Sequence, residues 1–312
     1  MSPEPLPDPP SPSLRRRAID RRLAVRRFAG TRALAETLER PIRVAQLTDM
    51  HVGAVTPHAA QLAAVAAVNA AQPDIVLLTG DYVCHTLDYL EELQDALRRV
   101  EAPMVAVLGN HDHWCSANDV QRTLESVGVD VLVNETRVVD IGGQPLQIVG
   151  LDDGRTGHAD VAAAVATMRD GLPTIGLSHV PHEADALWEH GVSLVLSGHT
   201  HSGQVAVGRM NELFLAGFGG HRYIHGLYGD RMGRRYPGAV YVSAGIGAAV
   251  MAVRMGDRAR REVALFDLDA LPGDFAEHHV EQDPRPVGRA LAVAEWTQLR
   301  ARWRVRLGGM RA

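Results

Sequence analysis

Gly198-His199-Thr200-His201 places two histidines one residue apart, directly after the apolar run 192–197, which reads as a buried strand. Neutral imidazole is a common ligand for transition metals. An apolar strand ending in paired histidines sets them at its C-terminal edge, where open α/β sheets hold their sites. The same ending recurs along the chain. Residues 42–48 run into Asp49-Met50-His51, and 75–79 into Gly80-Asp81. Residues 104–108 run into Gly109-Asn110-His111-Asp112, and 174–178 into His179. One aspartate after a strand is unremarkable. Five strand ends carrying Asp, Asn and His, with no Cys, exceed what core packing requires. The donors Asp49, His51, Asp81, Asn110, His179, His199 and His201 are too many for one tetrahedral ion. They suit two ions with a bridging carboxylate, Asp81 being the candidate, and open positions for water and substrate. Mixed imidazole and carboxylate ligands favour Mn, Fe, Zn or Co over Ca or Mg.

Charge sets the sign of the substrate. Two divalent cations outweigh two aspartates, so the cavity stays positive and attracts an anion. Two metals a few Å apart match the spacing of two phosphoryl oxygens. A metal also lowers the pKa of bound water toward about 7, which supplies hydroxide for in-line attack. His111, beside Asn110, is the candidate to assist the leaving oxygen, with Asp112 expected to orient its imidazole.

The composition narrows the class. The 312 residues are 46% hydrophobic with a net charge of -5, which excludes a whole-chain polycation. The mean hydropathy of -0.08 accompanies a sequence without an apolar run of membrane-spanning length. All 32 basic residues are arginine, which removes a Walker-type lysine and Schiff-base chemistry. Cys84 and Cys115 are too few for a disulfide scaffold.

The elements that must position the donors follow in order. Residues 1–13 hold six prolines and read as a disordered tail. Residues 14–40 carry Arg15, Arg16, Arg17, Arg21, Arg22, Arg26 and Arg27 and read as a basic amphipathic helix. Arg32 and Glu36 interrupt the apolar core that an export signal needs, so a cytoplasmic protein is expected. From 41 to 270 strands and helices alternate, the pattern of parallel strands with crossover helices. Thr56 reads as an N-cap with Pro57 at the first helical position, and Ser116 opens a helix that Gly128 closes. Gly142-Gly143 joins a hairpin, a helix is expected over 161–168, and further strands over 213–216, 239–243 and 261–268. Residues 217–238, rich in Gly, Arg and aromatics, read as a functional loop whose His221, Arg222 and His225 are candidates for binding substrate phosphate. Residues 271–312 read as a tail ending in a second basic amphipathic helix with Trp296 and Trp303 on one face.

Asp49-x-His51, Gly80-Asp81, Gly109-Asn110-His111-Asp112, His179 and Gly198-His199-Thr200-His201, in this order, resemble the motif set of the calcineurin-like metallophosphoesterases. Thr48-Asp49-Met50-His51-Val52-Gly53, Leu78-Thr79-Gly80-Asp81-Tyr82-Val83, Gly150-Leu151-Asp152-Asp153, Gly203-Gln204 and His225-Gly226-Leu227-Tyr228 are similar to the bacterial YaeI/YkuE-type phosphodiesterase branch. The resemblance implies a four-layer α/β/β/α sandwich with two mixed sheets. It implies one metal on Asp49, His51, Asp81 and His201 and another on Asp81, Asn110, His179 and His199. A dinuclear metal-dependent phosphodiesterase is the expected function. The alternatives are a UDP-diacylglucosamine-type pyrophosphohydrolase and a non-catalytic scaffold. The Arg/Trp segments would give a lipid-linked substrate, or the inner membrane face, a peripheral contact; the sequence carries no evident nucleic-acid module. Asp152-Asp153 read as turn residues, and His278-His279 as surface residues.

Overall fold

Ile75-Val76-Leu77-Leu78 puts four apolar side chains in a row on an extended backbone, where successive side chains face opposite ways. A strand apolar on both faces needs cover on both. Ile75 and Leu77 enter one core, and Val76 and Leu78 enter another. That alternation builds the layers of this protein. The computed structural model describes residues 23–201, 221–248 and 257–285.

The first sheet contains β1 (Leu23–Ala29), β2 (Arg43–Leu47), β3 (Ile75–Thr79), β4 (Met104–Val107), β5 (Val129–Val131) and β12 (Arg261–Asp267). Their order is β1-β12-β2-β3-β4-β5, with β2 to β5 parallel and β12 antiparallel to β2. The second contains β6 (Glu135–Ile141), β7 (Gln144–Gly150), β8 (Thr174–Leu177), β9 (Leu194–Ser197), β10 (Gly226–Gly229) and β11 (Ala239–Val242). Its order is β10-β11-β9-β8-β7-β6, parallel from β7 through β8 and β9 to β11, with an antiparallel strand at each edge. Both sheets are therefore mixed.

Between the sheets, Phe28, Val44, Leu77, Val105 and Val107 of the first meet Ile148, Ile175, Leu177, Leu196 and Tyr241 of the second. Outside the first sheet lie α2 (His58–Ala71), α3 (Leu90–Leu97) and α5 (Ala117–Glu125), which bury Val65, Val68, Leu93, Leu97, Val120 and Leu124 against it. Outside the second lie α6 (Val161–Val165) and α7 (Ala184–Glu189), with Ala164, Leu187 and Trp188 packed on Val149, Val195 and Val240. The result is the α/β/β/α sandwich that the sequence led us to expect. The crossovers leave the C-terminal tips of β2, β3, β4, β8 and β9 free to carry the motif residues.

Local signals worked where their partners are local. Ser116 caps α5 by accepting from Asp119 N. Gly142 and Gly143 both take positive φ, 57° and 89°, as a two-residue hairpin of this hand requires. At Pro57 the expectation shifts by one residue. Pro57 itself is the N-cap of α2, and the Thr56 hydroxyl accepts instead from Ala248 N at 3.0 Å.

Three expectations give way to tertiary structure. The described part of segment 14–40 is the strand β1 followed by α1 (Arg32–Thr37), rather than one amphipathic helix. Its arginines find carboxylates more than 200 residues away: buried Arg26 pairs with Glu262, and Arg27 pairs with Asp267. Segment 217–238, read as a loop, contributes the buried edge strand β10, whose terminal glycines at φ 91° and 94° hide its strand character. Segment 271–312 folds back in its described part: Gln282 N donates to Leu227 O, and buried Arg231 is held by Glu277 and Glu281. His279 is half-buried, its ring 4.9 Å from that of His225, while His278 is exposed. The expected tail 1–13, the strand over 213–216, Gly203-Gln204 and the helix with Trp296 and Trp303 lie outside the described residues. Among the described residues no helix is long and apolar enough to cross a membrane.

Glu262 is the electrostatic tie of the first sheet. Its buried carboxylate accepts from Arg26 Nε, from the Tyr241 hydroxyl at 2.9 Å and from Ala244 N at 2.8 Å. Burial alone would raise its pKa, but His225 and Arg26 outweigh that and hold it far below the carboxylate range. A depressed folded pKa adds stability that is complete above the unfolded value, about 4.3, and is lost as pH falls. Glu262→Ala leaves Arg26 buried without its partner and is expected to cost about 3–5 kcal/mol at pH 7. Urea midpoints of both proteins check this, and the gap between them is expected to narrow as pH drops below about 4.3.

Candidate metal centre

Each motif residue emerges where a strand runs out and the chain must turn sharply. Asp49, His51, Asp81, His199 and His201 all adopt left-handed backbone, with φ of 49°, 41°, 58°, 73° and 49°. For residues with a Cβ this conformation costs of order 1–3 kcal/mol each and persists only where the surroundings enforce it. Here the tips are laced together. Asp49 N donates to Gly80 O at 2.9 Å, and His51 N to Asp81 O at 3.0 Å. Within the second sheet, beyond the ends of β8 and β9, Gly198 N donates to His179 O at 3.2 Å.

The side chains so placed converge. Asp49, His51, Asp81 and His201 each offer a ligand atom within 4.8 Å of the others, and all four are buried. His51 Nε2 lies 2.9 Å from His201 Nε2 and 3.4 Å from Asp81 Oδ2. His201 Nε2 lies 3.3 Å from Asp49 Oδ1. On the far side of Asp81, its Oδ2 stands 3.3 Å from His179 Nε2. The His179 ring meets that of His199 edge-on at 5.1 Å. Asp81 thus faces both groups of donors.

These atoms fit a divalent cation. His51 Nδ1 lies 3.1 Å from Val83 O, and His179 Nδ1 lies 2.8 Å from Thr79 O. A carbonyl can only accept, so each Nδ1 carries the hydrogen and each Nε2 is the ligating end. Buried Asn110 Oδ1 and His179 Nε2 have no hydrogen-bond partner among the described residues. Unsatisfied buried polar atoms are costly, and the one on His179 stands beside the Asp81 carboxylate, as a metal-ligating nitrogen would. Burial pushes His51 down to about 3 and takes His199 well below the usual imidazole range, so both are neutral, the form that ligates. Burial opposes the charge on Asp81, yet His179, His51 and His111 outweigh it and keep that carboxyl well below its usual range. Burial likewise opposes a charge on His179, and Asp81 overrides it, pushing that ring up to about 10, so a cation bound there would have to displace the Nε2 proton.

The remaining candidates separate. The short helix α4 (Asn110–Cys115) carries His111 to the rim of the cluster, where its ring lies 4.7 Å from that of His51. Its Nδ1 donates to Cys84 O, not to Asp112. Asp112 does not orient this imidazole. Its buried carboxylate accepts from the backbone N–H groups of Asp81, Tyr82, Val83 and Gly109 and clamps the β3 tip to the β4 tip. Burial and the Asp81 charge push it up to about 7 against those donors. His221 reaches the cluster's edge, 5.8 Å from the His199 ring, and burial pushes it down to about 4. Arg222 turns away to Asp185 at 2.6 Å, and His225 is buried against Glu262 at 3.3 Å. The structure therefore gives neither of these two a place among the converging atoms. Asp153 is a turn residue that accepts from Thr156 N, and Asp152 pairs with His113 at 2.7 Å.

One contributor, the 243–247 segment, escaped the sequence reading, and a second, Gly109, was read only as part of its motif. The 243–247 segment lies on Asp49: Ile246 N donates to Thr48 O at 3.1 Å and Gly247 N to Asp49 O at 2.6 Å. Its glycines were the available signal. Gly109 matters for what it lacks, since a Cβ there would fall on Asp81 Oδ1 and its backbone nitrogen.

Two mixed sheets whose tips gather buried Asp and His side chains define a metallophosphoesterase. The chain belongs to the calcineurin-like phosphoesterase family, whose family model matches residues 42–203. It is 29% identical over 234 residues to the phosphodiesterase YaeI of Escherichia coli (strain K12), which covers 73% of this chain and 82% of that protein. It is 27% identical over 232 residues to the metallophosphoesterase YkuE of Bacillus subtilis (strain 168), covering 72% and 78% respectively. A 5'-nucleotidase precursor from Thermus thermophilus aligns structurally with a TM-score of 0.41 and 19% identity, over 52% of this chain and 42% of that one.

Gly109→Ala is expected to displace the Asp81 carboxylate and reduce metal affinity by about 10–100-fold, as losses of supporting contacts do. Equilibrium dialysis against Mn, with circular dichroism as the control for folding, measures it.

Proposed function

We propose that this protein is a dinuclear metal-dependent phosphodiesterase. The observation that carries the reading is the position of buried Asp81, between His51 and its neighbours on one side and His179 on the other. Asp49, His51, Asp81 and His201 would hold one cation, and Asp81, Asn110, His179 and His199 a second. Imidazole and carboxylate donors suit Mn, Fe, Zn or Co. Bound there, such ions supply positive charge for the phosphoryl oxygens and lower the pKa of water. Diester preference is supported by the similarity to the phosphodiesterase YaeI.

The chain's own residues do the rest. Asp81 and Asp49 balance only part of the positive charge, so the cleft retains attraction for an anion. His111 stands beside the cluster with its backbone N–H on Asp81 Oδ1 at 2.9 Å, which fixes the helix end that carries it. With Nδ1–H held by the Cys84 carbonyl, Nε2 is the end of the ring left to face the departing oxygen, and it would deliver a proton there from the imidazolium form, returning to the neutral Nδ1–H tautomer. Asp112 serves by positioning, since it locks the Asp81 and Gly109 backbones together.

His111→Ala is expected to retain its metal complement and lose about 10²–10⁴-fold in turnover. Hydrolysis of bis(p-nitrophenyl) phosphate by Mn-loaded protein, with metal content measured in parallel, tests both halves. Unchanged turnover overturns the role of His111, and no hydrolysis by the wild type overturns the enzyme reading.

A further inference from the structure

Trp114 lies in no core. It is 59% exposed, whereas Trp188, the other tryptophan among the described residues, is buried. A lone exposed apolar side chain is ordinary on a protein surface. The position of this one is not. Trp114 follows Asn110 by four residues and His111 by three on α4, so helical spacing sets all three on neighbouring sides of one short helix. Asp112 points away into the backbone of the β3 tip, and His113 is taken by Asp152. The indole centroid lies 4.8 Å from the His111 ring, inclined at 58°. The His111 ring in turn lies 4.7 Å from His51, a member of the Asp/His cluster. On another side His111 meets the exposed ring of His85 at 5.2 Å.

A phosphoryl group seated at the cluster therefore has an aromatic shelf two ring steps away, about the reach of one ester substituent. We propose that Trp114 is a specificity-determining residue, whose indole face stacks on a planar aromatic substituent of the phosphoester. The inference rests on the phosphodiesterase reading and adds the class of substituent. An aryl or nucleobase arm suits this rim, because the exposed planar rings of Trp114 and His85 stand beside His111, inclined to it by 58° and 47°. An acyl chain would need a continuous apolar trough, and of the large apolar side chains exposed among the described residues Trp114 is the one with a ring contact to His111.

The test uses three phosphonates that share one anionic head: methylphosphonate, phenylphosphonate and hexylphosphonate. Each is measured as a competitive inhibitor of bis(p-nitrophenyl) phosphate hydrolysis by Mn-loaded full-length protein, with tryptophan fluorescence quenching as a direct binding readout. Wild type is expected to favour the phenyl over the methyl compound by about tenfold, the upper range for an aromatic pair. Trp114→Ala is expected to bring that ratio to about one, and Trp114→Phe to retain most of it. A phenyl preference that survives in Trp114→Ala overturns the proposal. So does tighter binding of hexylphosphonate than of phenylphosphonate, which assigns the rim to an alkyl chain. Hydrolysis with equal inhibition by all three sinks the aromatic subsite alone, whereas a wild type that neither hydrolyses the ester nor binds any phosphonate removes the parent reading and this one together.

Discussion

Burying two carboxylates near one another is the constraint that the rest of this structure serves. Asp49 and Asp81 are fully enclosed at the ends of β2 and β3, and each would be costly without positive charge beside it. The imidazoles of His51, His179 and His201 meet them at 3.3 to 3.4 Å, an arrangement that gains its full value around cations. Strained backbone at Asp49, His51, Asp81, His199 and His201 is the cost of bringing donor atoms so close. The hydrogen bonds that lace the tips, and the Asp112 clamp, are what keep that strain from relaxing.

The two-sheet architecture makes the convergence possible. Parallel strands with crossover connections deliver successive C-terminal tips to one edge, and stacking two such sheets brings β8 and β9 against β2, β3 and β4. A buried ion pair supports the site from below. Arg26 holds Glu262, Glu262 holds Ala244 N, and two and three residues on, Ile246 and Gly247 hydrogen-bond to the Thr48 and Asp49 carbonyls. Stability of the first sheet and placement of Asp49 thus share one hydrogen-bonded path.

Within the short helix after β4 the same spacing does three separate jobs. Asn110 is buried with an unpartnered side-chain oxygen, Asp112 pins the neighbouring backbone, and His111 lies between the cluster and the exposed ring of Trp114. Asp112 illustrates how sequence adjacency misleads. A carboxylate next to a histidine suggests a side-chain pair. Four backbone N–H groups from two strand tips make the better partner, however, because each of those donors would otherwise be buried and unpaired.

Strand runs, helix starts such as Ser116 and the Gly142-Gly143 turn were legible because apolar period and turn chemistry act over a few residues. The motif residues were legible as a set because Asp, Asn and His at strand ends are a departure from core packing. Other features depended on partners far along the chain. Arg26 and Arg27 read as the face of a solvated helix until Glu262 and Asp267 turned them into strand anchors. Gly226 and Gly229 obscured a strand whose neighbour β11 supplies the pairing. His225 and Arg222 read as candidates for binding phosphate, and the structure places them against Glu262 and Asp185. The sequence by itself determined which atoms could bind metal and on which strands they sit, since residue type and local period carry that information. Only the tertiary structure decided which of them share a centre and which charges are already neutralised, because a carboxylate or an arginine is defined by neighbours that folding, not sequence distance, selects.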